Sequence, residues 1–120
     1  MIKEMPHSFR GDEKRRFERV QIAPGVQIEV LDGKGKAVGV VRQLARGGFS
    51  MEPAKNYSKD NRVYDFTIHE QEEDIRAEVR ARVRFSDDQL VGFEFVDLGP
   101  DAAVEIGIII GKYYEHEKMM

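Results

Sequence analysis

Apolar and polar residues alternate most cleanly in the second half of the chain. In IRAEVRARVRF, Ile75, Ala77, Val79, Ala81, Val83 and Phe85 take one set of positions, and Arg76, Glu78, Arg80, Arg82 and Arg84 the other. Successive side chains of a β-strand point to opposite faces, so a period of two predicts a strand with one buried and one wet face. A shorter version begins after the turn signal APG, where Val26, Ile28 and Val30 alternate with Gln27 and Glu29. DGKGK (Asp32 to Lys36) predicts a hairpin turn, because Asp-Gly accepts positive φ. A strand over about Ala37 to Leu44 follows, then the Gly47-Gly48 turn and a short strand from Phe49 to Met51. RVYDFTI (Arg62 to Ile68) reads as a strand, HEQEED as an acidic hairpin loop, SDDQ as a turn and LVGFEFVDL (Leu90 to Leu98) as the last strand.

The C-terminal pattern is different. GPDAAVEIGIIIGKYYEHEKMM predicts a helix over 99–117, with Pro100 at its first position and Asp101 at the positive end of its dipole. Val104, Ile106, Ile108, Ile109, Ile110 and Tyr113 cover more than one stripe, and Gly107 and Gly111 weaken the helix. A band this broad either packs on a sheet and also meets a partner, or is partly strand-like. At the other end, residues 1–14 carry Pro6, Gly11 and mixed charge without a period, and read as a flexible tail. Six short strands and one helix predict an all-β domain, a small antiparallel barrel or sandwich over 24–98 capped by the helix. With a basic arm over 15–23, the single domain spans 15–120.

Composition narrows the function classes. The chain has 120 residues, 41% hydrophobic and 34% charged, with a formal net charge of −3 and no cysteine. One modest core and one domain fit that length. The negative net charge gives no bulk field for nucleic acid. Without cysteine there is no disulfide, thiolate metal site or thiol nucleophile. No signal-peptide core and no run near the roughly 20 apolar residues of a membrane helix are present, so a cytoplasmic protein without membrane insertion is expected. Catalysis has little support. His7, His69 and His116 lack partners at metal-ligand spacing, and Ser50 and Ser58 have no identifiable base. Glu70, Glu72, Glu73 and Asp74 read as solvated loop charge. A non-enzyme without cofactor is the expectation.

The arginines remain. Arg15, Arg16 and Arg19 precede the first predicted strand, the outer two spaced R-x-x-x-R. VRQLARGGFSM (Val41 to Met51) adds Arg42 and Arg46 on either side of a turn. Guanidinium groups bind phosphate through paired planar hydrogen bonds and stack on bases. Two on an arm can clamp a dianionic ligand, with backbone N–H groups of the Gly47-Gly48 turn nearby. Composition alone favours the plainer reading, a basic tail that stays solvated. On the fifth predicted strand, Arg76, Arg80, Arg82 and Arg84 read as a solvated face pairing with acidic neighbours such as Glu94. An extended ligand surface or a docking face are the other readings, with nucleic acid disfavoured by net charge and the scarcity of interleaved aromatics.

RRFERV ahead of the first strand, VRQLARGGFSM at a strand end and LVGFEFVDL in the last strand together resemble the PilZ domain, from about Arg15 to the C-terminus. The resemblance implies a bacterial six-stranded antiparallel β-barrel followed by a C-terminal α-helix, and a ligand, cyclic dimeric GMP (c-di-GMP). Family members carry R-x-x-x-R, matched by Arg15 and Arg19, and D/N-x-S-x-x-G after the second strand. In the second motif only Gly48 matches; Gln43 stands at the acidic or amide position and Ala45 at the serine. The resemblance thus implies a ligand site of Arg15, Arg16, Arg19, Gln43, Ala45, Arg46 and Gly48, with Arg46 as a substitute donor beside the missing hydroxyl. It implies second-messenger signalling in motility or biofilm regulation, through a protein partner such as a flagellar, pilus or exopolysaccharide component. The alternative is a PilZ-like protein that has lost its ligand and acts through protein contacts, its apolar helix serving as docking surface or homodimer interface.

Overall fold

The computed structural model describes residues 19–55, 57 and 62–119, with side chains through Tyr114. Seven strands and one helix follow in order: β1 (Arg19–Gln21), β2 (Ile28–Leu31), β3 (Ala37–Ala45), β4 (Gly48–Pro53), β5 (Val63–Glu70), β6 (Ile75–Ser86), β7 (Val91–Phe95) and α1 (Pro100–Met119). All pairings are antiparallel. Six strands close a barrel in the order β2-β3-β4-β7-β6-β5 and back to β2. Closure removes the sheet edges that would otherwise pair with another chain.

Part of the predicted arm is itself a strand. β1 pairs Arg19 with Ala45, Val20 with Leu44 and Gln21 with Gln43. It takes the edge of β3 beyond the point where β2 ends, and Val20 is 1% exposed. Three residues are too few to show a convincing period, so this strand was not predicted.

Inward residues of all the strands form one core, which includes Val30, Val41, Leu44, Met51, Ile68, Val79 and Phe93. Phe49 stacks on Phe93 at 4.9 Å, and Phe66 meets Phe93 edge-on at 5.2 Å. The helix adds Ala102, Ile106, Ile109, Ile110 and Tyr113, a spacing that defines one face of a 3.6-residue period. It packs on β6, β1 and β3. The broad apolar band therefore divides: one side is buried, while Val104 and Ile108 stay exposed on the other. The strand-like alternative does not occur. Among the described residues, no helix is long and apolar enough to cross a membrane.

Two bulges change which face certain residues occupy. In β3, Val41 pairs with Met51 and Gln43 with Ser50, leaving Arg42 as the extra residue. In β6, Val83 pairs with Phe93 and Phe85 with Gly92, leaving Arg84 as the extra residue. An inserted residue shifts the two-residue alternation by one, so positions beyond it exchange faces. Phe85, predicted to point inward, is therefore exposed, and Leu44 rather than Gln43 is buried.

Glu70 also departs from expectation. It is completely buried rather than solvated, because β5 runs on past Ile68 and Glu70 continues the inward series Phe66, Ile68, Glu70. Its carboxylate accepts hydrogen bonds from the Glu73 N–H (2.9 Å), from Lys112 Nζ (2.8 Å) and from the Tyr113 hydroxyl. Lys112 also reaches Glu72 at 2.6 Å. The β5–β6 turn is thereby tied to α1.

Candidate functional site

Cross-strand partners share a face, so the register lays out the outer surface of the barrel as rungs. One rung runs Arg19, Ala45, Gly48, Glu94, Arg82, and the next runs Gln21, Gln43, Ser50, Gly92, Phe85. Between them lies the inward rung Val20, Leu44, Phe49, Phe93, Val83. Most of the two outer rungs, with Gly47 and Arg84, line an open cleft of about 600 Å³. The stacked Phe49 and Phe93 rings form its floor.

Four residues singled out in the sequence, Arg19, Gln43, Ala45 and Gly48, come together in this cleft. Arg15 and Arg16 lie outside the described residues. Arg46 points elsewhere: its guanidinium atoms lie 3.4–3.8 Å from where a Cβ on Gly107 of α1 would stand. The absent side chain at Gly107 gives the Arg46 head room against the helix. Arg42 also faces away from the cleft, its Nε and Nη2 donating to Glu52 at 3.0 and 2.8 Å. The two arginines flanking the turn thus serve a cross-strand ion pair and a helix contact.

Gly48 has a steric reason to be glycine. A Cβ there would sit 2.1 Å from the Phe93 carbonyl oxygen and 3.0 Å from Glu94 Cα. The β4 and β7 backbones approach so closely that no other residue fits.

Sequence reasoning missed Ser50, Phe85, Gly92 and the Arg84–Glu94 pair as parts of the cleft. Ser50 is 6% exposed and lines the cleft. Phe85 is 54% exposed, and its ring occupies the space a Gly92 side chain would fill, with Cε1 2.0 Å from the position of a Cβ there. Arg84 Nη1 donates to Glu94 at 3.0 Å across the same wall. The signal for all of these is the register, which the two bulges hide from a simple alternation pattern.

Two other cavities differ in character. A groove of about 740 Å³ beside the β2–β3 hairpin carries Asp32, Asp65, Glu78 and Asp97 with Arg76 and Arg80. Arg80 is engaged with Asp65 and Arg76 with Asp74, both at 3.1 Å, so that groove repels an anion more than it attracts one. Arg80–Asp65 and Arg84–Glu94 are the cross-strand partnerships expected of the arginine face of β6, while Arg76 pairs with Asp74 in the adjoining turn. The smaller cavity, about 410 Å³, lies against Glu70, Lys112 and Tyr113, where the cation is already neutralised.

A small closed antiparallel barrel, a short N-terminal strand carrying an arginine and a cleft at the β3–β4 turn define the class of protein. The family model of the PilZ domain matches residues 13–110. The chain belongs to the PilZ domain family, a family of c-di-GMP receptor domains. No curated protein matches the sequence significantly. Among solved structures, the PilZ domain of YcgR from Escherichia coli, solved with c-di-GMP, superposes with a TM-score of 0.65 at 10% identity, over 84% of this chain and 92% of that one. MotI/DgrA, an inhibitor of motility from Bacillus subtilis, gives 0.58 at 14% identity, over 85% of this chain and 50% of that one. The PilZ domain of CeSA from a cellulose-synthesizing bacterium gives 0.56 at 16% identity, over 82% and 97%. At these identities the likeness is one of fold.

Proposed function

We propose that this protein is a PilZ-type receptor that binds c-di-GMP in the β1–β3–β4 cleft and signals by changing its contacts with a partner protein. One observation supports this most directly: Arg19 and the remote stretch of Gln43, Ala45 and Gly48 line one open cleft on the barrel wall. Arg19, with Arg15 and Arg16 ahead of it in the chain, supplies guanidinium groups for the phosphates and base faces. Gln43 offers an amide to a base edge, one methylene further out than the family's residue. Ala45 offers no hydroxyl, which costs about 1 kcal/mol, roughly fivefold in affinity. Binding is weakened but not abolished. Arg46, held against α1, acts at the turn–helix contact.

Isothermal titration with c-di-GMP tests this reading. A submillimolar Kd, lost in Arg15→Ala and in Arg19→Ala, is the expected outcome. Absence of heat at millimolar ligand would favour the second reading, a family member that works through protein contacts alone. The observation on its side is the exposed pair Val104 and Ile108, one helical turn apart on the outer face of α1.

A further inference from the structure

The substitutions at Gln43 and Ala45 weaken the turn, yet the cleft holds recognition groups at positions the family's motifs do not cover. We propose that the base-recognising part of this site extends onto β4 and β6, with Phe85 stacking on a guanine ring and the Ser50 hydroxyl bonding the ligand in place of the one missing at Ala45. The inference rests on the proposed function and deepens it.

Three observations carry it. The rung Gln43, Ser50, Gly92, Phe85 crosses β3, β4, β7 and β6 on the outer face. Three strand spacings, roughly 14 Å, separate its ends, so a ligand can lie across the strands instead of sitting only in the turn. Ser50 is 6% exposed and lines the cleft, so its hydroxyl is placed to meet a ligand seated there. Ser50 lies one rung from Ala45, a diagonal of roughly 7 Å, so it meets the ligand at a different atom from the one a serine at position 45 would meet.

Phe85 is the third. It is 54% exposed and lines the cleft, offering an aromatic face to a ligand seated there. The bulge at Arg84 turns it outward, and Gly92 leaves room for its ring over the β7 backbone. The ring is thus held in place and presents exposed surface to the cleft. Aromatic stacking suits a purine, whichever edge its hydrogen bonds use. Arg84, beside it, is occupied by Glu94.

The test is titration of c-di-GMP against the full chain and five variants, Arg19→Ala among them as the control. Ser50→Ala should weaken binding about fivefold, and adding Ala45→Ser should restore most of that loss. Phe85→Leu, which keeps an apolar side chain over Gly92 but removes the ring, should weaken binding at least about fivefold. Phe85→Trp introduces the only tryptophan, since the chain has none, and its fluorescence should fall as the base stacks on it. Thermal unfolding of each variant without ligand separates lost binding from lost fold. Wild-type binding abolished by Arg19→Ala but unchanged in Ser50→Ala and Phe85→Leu, with no quenching of the tryptophan, overturns this inference and leaves the receptor reading intact. Failure of the wild-type chain to bind overturns both.

Discussion

Gly48 shows how one residue can carry two meanings. Family resemblance marks it as a ligand-site glycine, but the 2.1 Å clash with the Phe93 carbonyl means the sheet requires it whether or not a ligand binds. Gly48→Ala should therefore cost about 3 kcal/mol or more, because β4 and β7 must separate for the new methyl to fit. Urea unfolding checks this; unchanged stability would show that the close approach is not maintained in solution. Loss of c-di-GMP binding in that variant reports on the barrel wall and assigns no ligand contact. Arg46 teaches the reverse lesson. Beside the missing hydroxyl it invites reading as a substitute donor, yet its side chain leans on Gly107 of α1. Proximity along the chain does not determine which way a long side chain points.

Between elements, the contact with the clearest pH signature joins the β5–β6 turn to α1. Burial alone would push the Glu70 carboxyl up, but hydrogen bonds from Lys112, Tyr113 and the Glu73 N–H, with the charge of Lys112, outweigh it and hold the group below the usual carboxylate range. Burial would lower Lys112, but its bonds to Glu70 and Glu72 prevail and raise it. Tyr113 is pushed up to about 12, by burial first and then by its bond to the Glu70 carboxylate. The signs follow from linkage. Stability from Glu70 is present above about pH 4.3, the ordinary glutamate value, and is lost as pH falls through the lower folded value. Stability from Lys112 and Tyr113 is full below about pH 10 and declines above it, since the folded chain then holds protons the unfolded chain has released. Unfolding free energy should be level between about pH 5 and 9 and fall on both sides. Glu70→Gln should cost about 1–3 kcal/mol near neutrality and flatten the acid limb. Urea midpoints across pH 3 to 11 check this; matching acid limbs in variant and wild type would exclude Glu70 as their source.

For the molecule as a whole, β1 links the proposed ligand cleft to the scaffold. Three residue pairs hold it to β3, the Ile22 N–H donates to the Arg42 carbonyl at 2.9 Å, and α1 packs against it. A ligand bridging Arg19 to Gln43 would fasten β1 to β3 and, through β1, bear on the helix. Ligand at about 100 times its Kd should add roughly 2.7 kcal/mol to unfolding. Amide exchange in Val20 to Ile22 should slow more than exchange in β5, which lies outside the cleft. Uniform protection across the barrel would mean that the ligand does not act through β1.

Alternation was enough to find β6 and most of the barrel, because burial of one face imposes a period of two wherever a strand is regular. The turn chemistry of Asp32–Gly33 and the Pro100 start of α1 were legible because they are local. Arg19 and Gly48 stood out through R-x-x-x-R and a turn motif, which are also local. Tertiary structure alone decided the rest. The bulges at Arg42 and Arg84 arise from pairing between distant strands, and they alone turn Phe85 outward and Leu44 inward. β1 is too short to show a pattern and exists because β3 outlasts β2. Glu70 tolerates burial only because α1 brings Lys112 and Tyr113 to it. The cleft itself is a product of register, which places Ser50 and Phe85 beside Gln43 across four strands. Local sequence specifies how each strand alternates, but which residues share a rung depends on contacts that form only when the barrel closes.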